Sequence, residues 1–92
     1  MYDVKYTAAY RWGYKRIKKR GLDVTMLNFV INELRNGRAL EKKFCDHALK
    51  GEYADFRECH IKPDWLLVYM IEDDILTLTL IDTGTHAEIF DK

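Results

Sequence analysis

The sequence predicts an α+β domain of order β-α-α-β-β-β, with an N-terminal helical hairpin on one face of a mostly antiparallel twisted sheet. Three observations lead there. Two segments in the first half carry apolar residues at helical spacing, each with its own start and stop signals. Three segments in the second half read as strands. One of these, Trp65 to Ile71, is nearly all apolar, as a central strand buried on both faces is.

Tyr2-Asp3-Val4-Lys5-Tyr6 alternates and suits a short first strand. Thr7 is placed to cap the helix that follows. Tyr10, Tyr14 and Ile17 form its apolar stripe. Gly13 lies inside that helix and costs about 1 kcal/mol against alanine, so the helix needs tertiary support. Gly21 ends it. Asp23 caps a second helix with Leu27, Val30, Ile31 and Leu34 on its inner face, and Asn36-Gly37 ends that one. So short a connection predicts an antiparallel pair.

Residues 38–52 read as a loop that packs Leu40, Phe44 and Leu49 and presents His47. Strands are expected over Tyr53–Cys59, Trp65–Ile71 and Ile75–Ile81, the last two joined by an acidic turn at Glu72-Asp73-Asp74. Alternation sets Leu76, Leu78 and Leu80 toward the helices and leaves Thr77 and Thr79 on an open polar face. Ala87 to Phe90 is expected to add a short terminal strand.

Ninety-two residues suit a single domain spanning 1–92. No apolar run approaches the roughly 20 residues of a membrane span, and the N-terminus lacks the apolar stretch of a signal peptide. A cytoplasmic location is therefore expected. Cys45 and Cys59 then read as free thiols. Net charge is zero, but residues 1–50 hold 12 Lys/Arg and 5 Asp/Glu while residues 51–92 hold 3 and 10. The run Lys15-Arg16-Ile17-Lys18-Lys19-Arg20 is either a solvated helix face or a patch that captures phosphate.

Chemistry concentrates in Arg57-Glu58-Cys59-His60-Ile61-Lys62-Pro63-Asp64-Trp65 and in the other two histidines, His47 and His86. Histidine suits proton transfer near neutral pH. RNA brings its own nucleophile, the 2′-hydroxyl. Cutting it needs a base, an acid and positive charge, with no metal or cofactor. His47, His60, Asp64 and His86 can supply the proton-transfer groups, and Arg57 and Lys62 the charge. Trp65 or Phe90 can stack on a base. Each has a plainer reading: Trp65 as core, Asp64 as a turn residue after Pro63. Zinc is the chemical competitor, through Cys45, Asp46, His47, Cys59, His60 and His86. Strand alternation sets Cys59 and His60 on opposite faces, so they do not share one ion.

At these residues the chain resembles the YafQ-type toxins of the RelE/ParE superfamily. The likeness runs through Asp46-His47-Ala48-Leu49-Lys50-Gly51, Arg57 to Tyr69, Leu78-Thr79-Leu80 and Thr83-Gly84-Thr85-His86-Ala87-Glu88-Ile89-Phe90. It covers nearly the whole chain, more loosely in the helical half. The resemblance implies a type II toxin–antitoxin toxin, an mRNA interferase that enters the ribosomal 30S A site beside 16S rRNA and cleaves mRNA there. It implies an antitoxin of the DinJ/RelB kind, bound through the basic helical face, and a toxin–antitoxin heterotetramer as one assembly. It implies functional positions at His47, His60, Asp64, Trp65, His86 and Phe90. On this reading His86 with Asp64 or His60 moves the protons, while His47 and His60 hold phosphate.

Asp82 stands where the family commonly has arginine, and Glu52-Tyr53-Ala54-Asp55-Phe56 is more acidic than usual. A misplaced charge about 4 Å from phosphate is worth about 1 kcal/mol in water and about 4 at an effective dielectric of 20. This motivates an alternative function: a toxin-fold protein that binds antitoxin or ribosome and cuts weakly or not at all. Gyrase inhibition, as in the ParE branch, has no need of the histidines.

Overall fold

The computed structural model describes residues 1–91. Its elements are β1 (Asp3–Tyr6), α1 (Ala8–Lys19), α2 (Val24–Arg35), β2 (His47–Ala48), β3 (Arg57–Lys62), β4 (Trp65–Glu72), β5 (Thr77–Gly84) and α3 (His86–Phe90). The sheet order is β1-β5-β4-β3-β2. β1 runs parallel to β5, and the other pairings are antiparallel. The expected α+β class, helical hairpin and strand sense are all present.

The helix signals act as their chemistry predicts. The Thr7 side chain accepts from the Tyr10 backbone at 3.0 Å and the Asp23 carboxylate from Thr25 at 3.0 Å, each satisfying an amide the first turn leaves open. Tyr10, Ile17, Leu27, Val30 and Leu34 are buried against Cys59, Ile61, Leu67, Tyr69, Leu78 and Leu80 of the sheet. Gly13 explains itself at this contact. A Cβ there would stand 2.2 Å from the Thr83 carbonyl oxygen, so only glycine lets α1 approach β5 this closely.

Three expectations are corrected. Residues 38–52 are not wholly irregular: His47–Ala48 forms β2 and pairs with Glu58 and Arg57 of β3, which fixes where His47 stands. The strand expected at Tyr53–Cys59 lies at Arg57–Lys62, because Gly51–Tyr53 forms a 3₁₀ turn. The terminal segment is helix α3, not a strand. Thr85 accepts from the Glu88 amide at 3.1 Å, and the Glu88 side chain accepts from the Thr85 amide at 3.0 Å. This reciprocal cap was readable as Thr-x-x-Glu.

The leucine and threonine faces also differ from expectation. Leu76 falls in the turn before β5 with φ 48° and is 57% exposed, while Thr77 is buried. The ladder shifts between Val68 and Tyr69, so Val68 faces Asp82 and Tyr69 faces Leu80. Beyond that bulge the sheet's second face is not bare. Leu66, Val68 and Ile89 form a small core there, flanked by Leu49, Phe56, Ile81 and Phe90.

Candidate functional site

β3 supplies the centre. Cys59 and Ile61 point into the core under the helices, so Glu58 and His60 point to the opposite face. Glu58 is 3% exposed. Three chain segments bring a histidine to it. β2 sets His47 Nε2 3.3 Å from Glu58 Oε2. β3 itself sets His60 Nε2 3.8 Å from Oε1. The first residue of α3 sets His86 Nε2 3.2 Å from the same oxygen.

This geometry has chemical content. Glu58 Oε1 is sealed from solvent and lies within ion-pair reach of two rings, yet neither is aligned for a hydrogen bond. A buried carboxylate oxygen without a directed donor is costly to folding. Each imidazole attracts it only with a proton on Nε2. For His60 and His86 that proton on Nε2 leaves Nδ1 as the acceptor in the neutral ring. The Nδ1 of His47 is 3.2 Å from the Ala48 carbonyl oxygen, so both of its ring nitrogens face acceptors.

Aromatic contacts bound the site. The His60 and His86 rings meet edge-on at 5.9 Å between centroids. Phe90, one turn along α3 from His86, lies 5.9 Å from that ring and 5.3 Å from Tyr53. Placement of α3 depends on the Thr83-Gly84-Thr85 stretch. Gly84 has φ 152°, and a Cβ there would lie 2.9 Å from Glu88 Oε1. Arg20 hydrogen-bonds Glu88 and Arg16 lies 3.2 Å from it, tying α1 to α3. The Arg20 hydrogen bond, more than any other contact, holds the Glu88 carboxyl down to about 2.

The expected site residues therefore divide. His47, His60 and His86 come together around Glu58, with Phe90 at the rim. Trp65 is corrected to a core residue. It is 3% exposed, and its indole N–H donates to Thr83 Oγ1 at 3.0 Å, so no base can stack on it. The same hydroxyl donates to the Leu66 carbonyl at 2.7 Å. Arg57 is not brought to the cluster. It faces the hairpin side, 3.1 Å from Asp46, whose other oxygen accepts from Tyr69. Strand alternation alone separates Arg57 from Glu58 and His60.

Asp64 is exposed in the turn between β3 and β4 and makes no ion pair or hydrogen bond among the described residues. Lys62 is exposed at the end of β3, on a neighbouring cavity that His60 also lines. Asp82 is buried opposite Val68, which is itself opposite Glu58. Two strand spacings, about 10 Å, therefore separate Asp82 from Glu58. Its Oδ1 accepts from the Thr83 amide at 2.8 Å.

Glu58 is the residue the sequence reading missed. Its signal was present: Glu58 and His60 are two apart on a strand and so share a face. One donor atom each from His47, Glu58 and His60 lie within 4.8 Å of one another, a set able to hold a metal ion. Cys59 takes no part in it. Its thiol is on the other face, where burial pushes its pKa up to about 12.

Comparison with known proteins bears on the family and the fold. The family described as "Bacterial toxin of type II toxin-antitoxin system, YafQ" matches residues 2–91. The mRNA interferase toxin YafQ of Escherichia coli K12 is 34% identical over 89 residues, 96% of this chain and 95% of that protein. A metal-bound toxin from Helicobacter pylori superposes with TM-score 0.92 at 40% identity, covering 98% of this chain and 100% of that one. The toxin in the E. coli DinJ–YafQ toxin–antitoxin complex does so with TM-score 0.87 at 33% identity, covering 97% of each. A match over nearly every residue, in sequence and in fold, places this chain in the YafQ family of type II toxin–antitoxin toxins.

Proposed function

We propose that this chain is a ribosome-dependent mRNA endonuclease that acts in the cytoplasm, cleaving mRNA in the 30S A site beside 16S rRNA. The observation that carries the reading is the buried Glu58 with three histidines at 3.2, 3.3 and 3.8 Å. Glu58 holds the imidazoles near one another by charge attraction to their Nε2 edges, without a directed hydrogen bond at Oε1. His86, more than half exposed, takes the 2′-hydroxyl proton through Nδ1. The oxygen attacks phosphorus, and the bond to the 5′ oxygen breaks. His60 or Asp64 protonates that leaving oxygen. His47 meets the phosphate charge, and Phe90 offers a ring to a base. No cofactor enters this scheme.

The E. coli relative named an mRNA interferase supports the activity, and the DinJ–YafQ complex supports an antitoxin of the DinJ/RelB kind. The antitoxin is expected on the helical face, where Trp12 and Phe29 are exposed and Lys15 lies 4.8 Å over the Trp12 ring. Two toxins joined through paired antitoxins would give a heterotetramer. The test is induction with and without the antitoxin while 5′ ends of cellular mRNA are mapped. In-frame cuts that disappear in His86→Ala are expected; unchanged cutting by that variant would sink the mechanism.

A second reading has its own observation. The donor set of His47, Glu58 and His60, with the metal-bound H. pylori toxin at 40% identity, supports a divalent transition metal on the same imidazoles. Metal and RNA would then compete. Added zinc should inhibit cleavage and a chelator restore it; cleavage indifferent to zinc would remove this reading.

A further inference from the structure

Beside the histidine cluster is a cavity of about 430 Å³ that the scheme above does not use. It is lined by Met26 of α2, Lys43, Phe44 and Cys45, and by His60 to Pro63 at the end of β3. The volume falls in the range of sites that hold a small organic molecule. Its walls are of two kinds. Met26, Phe44, Ile61 and Pro63 are apolar, whereas Lys43 and Lys62 are exposed cations. His60 belongs both to this cavity and to the Glu58 cluster.

We propose that this cavity holds the nucleotide of the RNA strand next to the one being cut, with its base against the apolar wall and its phosphate between Lys43 and Lys62. An apolar slot with a cationic rim complements a nucleotide, which is a flat ring joined to an anion. Continuity through His60 argues for RNA over a peptide. His60 borders both, so a strand held at the histidines has the mouth of the cavity as its neighbour. The acidic neighbours do not cancel the rim. Glu41 is 4.0 Å from Lys43 with both side chains about 70% exposed, and such pairs hold each other weakly. Asp23 faces Lys62 from the start of α2, where its carboxylate is already engaged by Thr25.

The inference rests on the RNA-cutting reading, and binding tests it separately from cleavage. Cys45 is exposed on the cavity and Cys59 is buried, so alkylation reports on Cys45. A non-cleavable 2′-O-methyl dinucleotide is added to the intact toxin while N-ethylmaleimide labelling is followed by mass. At ten times its dissociation constant it should slow Cys45 labelling about tenfold by mass action. The Met26 methyl NMR signal should move, and those of Met1 and Met70 should not. The Lys43→Glu, Lys62→Glu double variant, with its fold checked by circular dichroism, should lose both effects. Protection without cleavage by the wild-type chain supports the cavity and removes the proposed activity. Cleavage with Cys45 labelling and the Met26 signal unchanged overturns the cavity and leaves the activity standing.

Discussion

On β3, Arg57, Cys59 and Ile61 turn toward the helical hairpin, and Glu58 and His60 turn away from it. The hairpin side is a continuous apolar core with the Arg57–Asp46 ion pair at its edge. The far side holds a buried carboxylate that lacks a directed donor at one oxygen among the described residues, three histidines and a small satellite core. Six consecutive residues thus serve both the core and the candidate site, divided by the period of two along a strand. Neighbours in sequence belong to different tasks, and partners in the task come from distant segments.

Trp65→Ala gives the largest expected effect. If Trp65 belongs to the core, unfolding in urea should show a loss of about 3–5 kcal/mol. A stable protein that has merely lost RNA affinity would return Trp65 to the RNA-contacting set and break the comparison. His86→Ala acts on the other face. Cleavage on translating ribosomes should fall by about 10²–10⁴, with stability within about 0.5 kcal/mol of wild type because the ring is largely exposed. Equal losses of stability and activity would show the far side to be structural.

Acid should loosen the joint between α1 and α3. The folded Glu88 carboxyl lies near 2, below its ordinary 4.5, chiefly through its hydrogen bond to Arg20. A depressed carboxyl stabilises the fold above its unfolded value, and that contribution is lost as pH falls from about 4.5 toward 2. The expected sign is a midpoint in urea that declines over that window in wild type and declines less in Glu88→Gln. Identical pH profiles would remove Glu88 as the tie. Arg57→Ala should do least. Its ion pair with Asp46 is partly exposed and worth at most about 1 kcal/mol, and cleavage should be unchanged. A large loss of cleavage would place Arg57 back among the substrate contacts.

The helical hairpin and the central strand were legible because both depend on local periodicity and caps: Thr7, Asp23, and the apolar run from Trp65. The histidine set was legible through resemblance, since three histidines apart in sequence carry no spacing rule. Glu58 was legible in principle from its distance of two to His60. The same rule sets Arg57, one residue before Glu58, on the other face. The end of the chain was misread as a strand because its apolar residues outweighed the capping pair Thr85 and Glu88.

By itself the sequence determined the class of fold, the covered face of the sheet and the family. Those follow from patterns repeated over many residues, so no single contact decides them. Tertiary structure alone decided which carboxylate the histidines share, that Trp65 lies inside, and that Asp82 stands two strands away from Glu58. These depend on register, on β2 pairing with β3, and on Gly13 letting α1 close on Thr83. Such pairings between distant segments are set by packing, and no local pattern encodes them.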